Sequence, residues 1–267
     1  NKATVEDSFN FRSSHPRTTD RISQAIELVR DNRTRTALVN RNTFLDSIDG
    51  VIFGDDPKEG IQQGQKFIHP HLQFEFSVPE DFTMHNTPQR VVSRHPNGSV
   101  IIFDMEISKD TQNYYDDLRS YLLDKWGRKL DITNTERLVI NGMEAWTGHL
   151  QNITRSGPRD IRLVAVRSKD KDVIFRFVFM IPIDKLGQMQ SDLKRTIYSF
   201  RRLTLAESKQ IKPLRISTIT ASTGDTPYSI SRTMDLDNYE LEWFNLINLN
   251  VKNNIFSDST RVKVIRR

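Results

Sequence analysis

Six histidines are spread along the chain, at His15, His69, His71, His85, His95 and His149, and the chemistry open to them depends on their neighbours. Hydrolytic zinc chemistry of the H-E-x-x-H kind needs two histidines one helical turn apart, with a glutamate between them to activate water. None of the six stands in that pattern, so this chain alone carries no such centre. His69 and His71 bracket Pro70 and could grip a metal as a pair. No third ligand is evident beside them, and they read as loop residues ahead of a strand. The absence of cysteine removes thiolate metal sites, disulfides and cysteine nucleophiles.

The remaining reactive side chains are equally sparse in pattern. Glu75, Asp104 and Glu106 fall at alternating positions of strand-like segments, where carboxylates face water, and they form no acid–base pair for glycoside hydrolysis. Ser156-Gly157 lacks the G-x-S-x-G frame of a nucleophile elbow. Trp126, Trp146 and Trp243 could stack on sugars, although packing inside is the usual fate of tryptophan at amphipathic positions. No Walker or dinucleotide fingerprint is present.

Composition bounds the function classes. With 267 residues, 36% hydrophobic and 27% charged, the chain can bury a core and length allows about two domains. No segment approaches the ~20 apolar residues of a membrane span. The formal net charge of +5 comes from Lys and Arg interleaved with Asp and Glu. That is a solvated mixed surface, so no nucleic-acid partner is expected.

The elements that position these residues follow from periodicity. Thr18 or Thr19 caps a helix carrying Ile22, Ala25, Ile26 and Val29 on one face, and a short helical piece follows around Phe44, Leu45 and Ile48. From about Phe67 the period becomes two: Leu72, Phe74, Phe76 and Val78 alternate with polar residues up to Pro79. Val91 to His95 and Ser99 to Ile107 flank Pro96-Asn97-Gly98, a hairpin signal. Tyr114, Tyr115, Leu118, Leu122 and Trp126 return to helical spacing. Strands over Arg137 to Ile140 and Met143 to Ile153 then surround Asn141-Gly142. A further hairpin joins Arg159–Arg167 to Val173–Ile181 through Lys169-Asp170-Lys171-Asp172, and a helix carries Leu186, Met189, Leu193, Ile197 and Phe200. This order predicts an α+β fold, an antiparallel sheet with packed helices. The arrangement resembles the Mog1/PsbP-like sandwich, whose members usually bind partners.

After Leu203 a polar connector reads as a linker ending at Pro213. Beyond it a strand, two helices and a closing strand form a small βααβ unit. Thr220, Gly224-Asp225-Thr226, Tyr228-Ser229-Ile230, Phe244-Asn245, Ile247-Asn248 and Val262-Lys263-Val264 make this unit resemble a LysM domain. The resemblance implies binding of N-acetylglucosamine-containing glycans such as peptidoglycan. The groove would be lined by Ser222, Gly224, Asp225 and Thr226 on one side, and by Asn254, Ile255 and Phe256 on the other. Ser257-Asp258-Ser259 stands where family members commonly have Gly-Gln, so a unit that only packs on its neighbour stays open beside the glycan reading.

The segment Asn10-Phe11-Arg12-Ser13-Ser14-His15-Pro16-Arg17-Thr18-Thr19-Asp20-Arg21-Ile22 resembles the end of the catalytic domain of M48-type zinc metallopeptidases. Gly50-Val51-Ile52-Phe53-Gly54-Asp55-Asp56-Pro57, Gly64-Gln65-Lys66-Phe67-Ile68-His69-Pro70 and Phe74-Glu75-Phe76-Ser77-Val78-Pro79 extend the likeness to the accessory region of bacterial members. The likeness implies a non-catalytic C-terminal portion of such an enzyme in the periplasm or cell envelope. Its own catalytic domain and its zinc would lie upstream of this chain, which would have no cofactor of its own and no peptidase activity alone. Peptidoglycan or an envelope protein would be the partner. His15 would be either an auxiliary metal ligand or a loop residue directed by Pro16. The implied division is residues 1–65 as the helical end of the peptidase domain with a connector, 66–203 as the Mog1/PsbP-like domain, 204–213 as linker and 214–267 as the LysM-like domain. The alternative is a stand-alone envelope interaction protein without protease activity.

Overall fold

A computed structural model describes residues 40–107, 117–168, 173–249 and 255–267. The helix expected after Thr18, together with His15, Tyr114, Tyr115, the Lys169–Asp172 turn and Asn254, lies outside them. Within them the fold is α+β and every strand pairing is antiparallel.

A seven-stranded sheet runs in the order β4-β5-β6-β10-β9-β8-β7, built from β4 (Thr83–Thr87), β5 (Arg90–Arg94), β6 (Val100–Ile107), β7 (Thr133–Ile140), β8 (Met143–Thr154), β9 (Gly157–Arg167) and β10 (Val173–Pro182). A smaller sheet, β1-β2-β3-β11, faces it with β1 (Ile61–Gln63), β2 (Lys66–His69), β3 (Phe74–Ser77) and β11 (Arg201–Arg202). Side chains alternate across a strand, and β10 shows why both faces of the large sheet must be covered. Phe175, Phe177, Phe179 and Ile181 point inward to Phe67, Phe74, Phe76 and Phe103, with helix α3 (Leu186–Ser199) adding Met189, Leu193 and Ile197. Ile174 faces the other way with Leu150, Ile161 and Leu163. That outer face is capped by α2, a helical turn (Leu118–Ser120) running on as a π-helix (Tyr121–Trp126) whose Tyr121 and Leu122 are fully buried.

The turns explain the register. Asn141 and Gly142 both have left-handed backbones, φ 47° and 76°, which suits the tight connection of β7 to β8. At the β5–β6 turn Gly98 has φ 89°, and the Asn97 side chain accepts from Ser99 N at 2.9 Å.

The C-terminal βααβ unit comprises β12 (Arg215–Thr220), α5 (Pro227–Ser231), α6 (Glu240–Ile247) and β13 (Arg261–Arg266), with β12 paired to β13 along its length. The expected linker contains a helix, α4 (Leu205–Gln210). Thr204 accepts from Glu207 N at 3.2 Å and the Glu207 carboxylate accepts from Thr204 N at 2.7 Å. This reciprocal cap makes a helix out of a polar stretch. The segment ahead of the sandwich also attaches elsewhere than its sequence position implies. Helix α1 (Arg41–Ile48) packs on β12 and β13. Gly50 N donates to Ile216 O, Ile216 N to Val51 O and Phe53 N to Leu214 O, each at 2.8 Å. Residues 40–53 therefore extend the C-terminal unit, and a boundary at residue 65 falls inside the β1–β2 hairpin, where Gln63 pairs with Lys66.

Candidate functional site

At one end of the sandwich the two sheets splay and leave a cleft of about 310 Å³. Its walls are apolar: Phe67 and Phe74 come from the small sheet, Val91, Phe103 and Met105 from the large one, and Leu72 from the β2–β3 turn. The rim carries Lys58, His71, Asn86 and Arg90. Local hydrogen bonds hold the rim in place. Thr87 Oγ1 accepts from Arg90 N and donates to Arg90 O across the β4–β5 turn, at 3.2 and 2.8 Å. Asn86 Nδ2 donates to Glu59 O at 2.9 Å, which draws the 55–60 loop over the cleft. Gly60, at φ 97°, is pressed against the Phe67 ring. A Cβ there would come within 2.2 Å of Phe67 Cζ, so the absence of a side chain shapes this wall.

His69 lies in the same cleft. It belongs to β2, not to a loop, and is 7% exposed. Leu72 N donates to its Nδ1 at 3.3 Å, and the rings of Phe74 and Phe67 flank it at 5.4 and 6.4 Å. Burial, followed by the neighbouring charge of His71, lowers its pKa to about 4, because an apolar surrounding disfavours the imidazolium. The ring is neutral at pH 7. A neutral imidazole in an aromatic cleft can orient a ligand.

The carboxylates expected to face water are engaged instead. Asp104 and Glu106 lie on the outer face of β6 opposite Arg176 of β10. Arg176 grips Asp104 at 2.6 and 2.9 Å and reaches Glu106 Oε2 at 3.1 Å. Tyr121 OH and Lys125 Nζ donate to Glu106 at 2.7 and 2.6 Å, and the guanidinium lies 5.3 Å from the Trp126 ring centre. Burial pushes the Glu106 pKa up. Hydrogen bonds from Lys125 and Tyr121 and the charges of Lys125 and Arg176 outweigh it, so the net direction is down. Burial pushes the Tyr121 hydroxyl upward. This network fixes α2 to the sheet. Glu75 is 8% exposed and paired with Lys66 at 3.3 Å and Arg201 at 2.9 Å. Alternation predicts the face correctly but not the cation waiting on the neighbouring strand.

In the C-terminal unit the structure brings the two expected loops together, though not as the walls of an open groove between Gly224 and Phe256. Gly224 N donates to Phe256 O at 3.2 Å and Phe256 N to Asp225 O at 2.8 Å, so backbone bonds bridge them there. Gly224 adopts φ 92°, the Asp225 carboxylate accepts from Ser222 N at 2.8 Å, and Thr226 Oγ1 caps α5 by accepting from Ser229 N at 3.0 Å. Phe256 is 1% exposed and packs edge-on to Phe244 at 6.2 Å. Its expected place as a groove residue is corrected to one in the core, because the loop turns its ring under the sheet. Ser222 and Ile255 remain exposed. Asn254 and His15 lie outside the described residues.

Among the described residues no group of three or more His, Asp or Glu is placed to hold a metal. No described helix is long and apolar enough to cross a membrane. Sequence reasoning missed the cleft residues Lys58, Leu72, Asn86 and Met105, which come from separate turns and strands. The one available signal was Lys66-Phe67-Ile68-His69, a histidine two residues from a phenylalanine on a strand.

No family model and no curated protein matches the chain. Solved structures do. The chain is similar to cyanobacterial PsbP from Synechocystis, with 13% identity over 54% of this chain and 98% of that one at a TM-score of 0.41. It is similar to the Ran-binding protein Mog1p of Saccharomyces cerevisiae, with 11% identity over 55% and 98% at 0.37. It is also similar to LpqN of Mycobacterium tuberculosis, involved in cell envelope biogenesis, with 11% identity over 63% and 100% at 0.36.

Proposed function

We propose that this chain is a binding unit whose site is the cleft between the two sheets. Recognition sites are typically concave, mostly apolar and equipped with a few placed polar groups. The observation that carries the reading is the 310 Å³ cleft, walled by Phe67, Phe74, Phe103 and Met105 and holding the neutral His69. The setting we assign, from the sequence likeness, is the bacterial cell envelope. There the chain serves as the Mog1/PsbP-like, non-catalytic C-terminal portion of an M48-like zinc metallopeptidase and holds its substrate or a partner. Zinc and the cleaving residues belong to the upstream domain in this reading. A reading frame that encodes H-E-x-x-H ahead of Asn1 supports this parentage; a frame without it overturns the parentage and leaves a stand-alone binding protein.

The site itself is tested by filling it. Met105 is half-buried at the wall, so Met105→Trp narrows the cleft without emptying the core. Uptake of an apolar fluorescent dye should fall at least tenfold in a variant with unchanged circular dichroism. Equal uptake would place the site elsewhere.

The βααβ order and the meeting of loops 222–226 and 255–256 favour a second role, attachment to peptidoglycan by a LysM-like unit. Ser222, Thr226 and Ile255 would make the contact from the outer side of the joined loops. Retention on purified peptidoglycan should drop for Ser222→Trp and Ile255→Asp. Undiminished retention of both variants rejects this role.

A further inference from the structure

The walls of the cleft are rings, and its ionisable groups leave little net charge. Phe74 lies 5.2 Å from Phe103 with the planes 47° apart, and 6.1 Å from Phe67 at 40°. Met105 adds a thioether and Val91 an aliphatic surface. An aromatic guest gains from tilted ring neighbours and from sulfur near a ring edge. Arg176 grips Asp104, Arg90 is already engaged, and the His69 ring is neutral at pH 7. Lys58 and Glu59 are adjacent residues of opposite charge at the exposed rim, and His71 is exposed on the β2–β3 turn. A charged guest therefore gives up its water for no dedicated counter-ion. Volume sets the size of the guest. A cavity of about 150 Å³ holds one benzene ring, and this cleft measures about 310 Å³, room for two fused rings. We infer that the cleft takes an uncharged bicyclic aromatic group of indole size, held between Phe67, Phe74, Phe103 and Met105.

This inference rests on the cleft being the binding site, and competing probes separate the two claims. An aliphatic guest fills the same volume but forgoes the ring contacts, a severalfold loss in affinity. A strongly polar guest is disfavoured because rim groups are already used. Asn86 Nδ2 donates to Glu59 O, Thr87 Oγ1 donates to Arg90 O, and His69 Nδ1 accepts from Leu72 N. The same ring chemistry has two sources, a free small molecule and a tryptophan side chain of a polypeptide.

Calorimetric titration of the whole chain with indole, phenol, cyclooctanol, indole-3-acetate, tryptamine and N-acetyltryptophanamide tests the proposal. Indole should bind about tenfold more tightly than phenol, which lacks one ring. It should also exceed the indole-3-acetate and tryptamine ions about tenfold, and cyclooctanol severalfold. Met105→Trp sets a bicyclic ring of the chain itself at the wall and should abolish indole binding, whereas Lys58→Gln, on an exposed side chain, should leave it unchanged. Phenol or cyclooctanol binding as tightly as indole overturns the ligand class. A preference for either ion, a loss of indole binding in Lys58→Gln, or full binding in Met105→Trp overturns it equally. N-acetyltryptophanamide binding more tightly than indole assigns the ring to a polypeptide side chain and weaker binding assigns it to a free molecule, both in keeping with the class. If no aromatic probe binds while the apolar dye still enters, the ligand class alone falls. If the dye fails too, the cleft reading beneath it falls.

Discussion

At the scale of single residues, His69 links stability to acidity. Its pKa falls from 6.5 to about 4 on folding, so between those values the unfolded chain binds the proton more readily than the folded one. The stabilisation from keeping this ring neutral is complete above pH 6.5 and is lost as pH falls toward 4. The amount is on the order of 3 kcal/mol for a group this buried. Urea midpoints of wild type and His69→Phe should therefore converge or cross between pH 6.5 and 4 and run parallel above pH 6.5. Parallel curves throughout would mean that His69 does not titrate as placed. Gly60 gives a second residue-level expectation. Gly60→Ala forces a Cβ against Phe67 at φ 97°, and both the strain and the displaced ring should cost about 1–3 kcal/mol. Dye uptake should change with it, since that ring is a wall of the cleft.

At the scale of elements, α2 is held less by its own helical preference than by what it lands on. Arg176→Leu would remove from Asp104 and Glu106 the guanidinium that bridges them under α2. The expected loss is about 2–3 kcal/mol, below that of a fully buried pair because water reaches these carboxylates. Thermal unfolding measures it, and replacing Asp104 and Glu106 together with Asn and Gln should recover part of the loss. Most strands were legible: Phe74 and Phe76 fall where the period of two puts them, and Val100 to Ile107 and Val173 to Ile181 fall where the hairpin signals beside them put them. Helix α4 was not, because its cap depends on Glu207 folding back on Thr204 and on Arg201 reaching Glu207 at 2.8 Å. Polar composition alone does not distinguish that arrangement from a loop. The cleft was invisible for a related reason. It exists only where the 55–60 loop, the 70–73 turn, the 87–90 turn and β6 converge, and no local pattern encodes that meeting.

At the scale of the whole molecule, the chain visits the C-terminal unit twice. Phe53 packs edge-on to Trp243 at 5.2 Å within the apolar cluster of that unit. Phe53→Ala should therefore shift Trp243 emission to longer wavelength and lower the stability of the βααβ unit by about 1–3 kcal/mol, as read by hydrogen exchange on β12 and β13. An unchanged exchange pattern would show that residues 40–53 only rest on it.

That double visit makes the connection between the units a pair of struts. One runs through residues 54–60 and the other through α4, where Arg201 joins Glu75 to Glu207. Two connections restrain the units more than a single flexible linker would. The first strut is also the lip of the cleft, through the Glu59 carbonyl and the Gly60 contact with Phe67. A pull on the tail therefore reaches the mouth of the cleft as mechanical load.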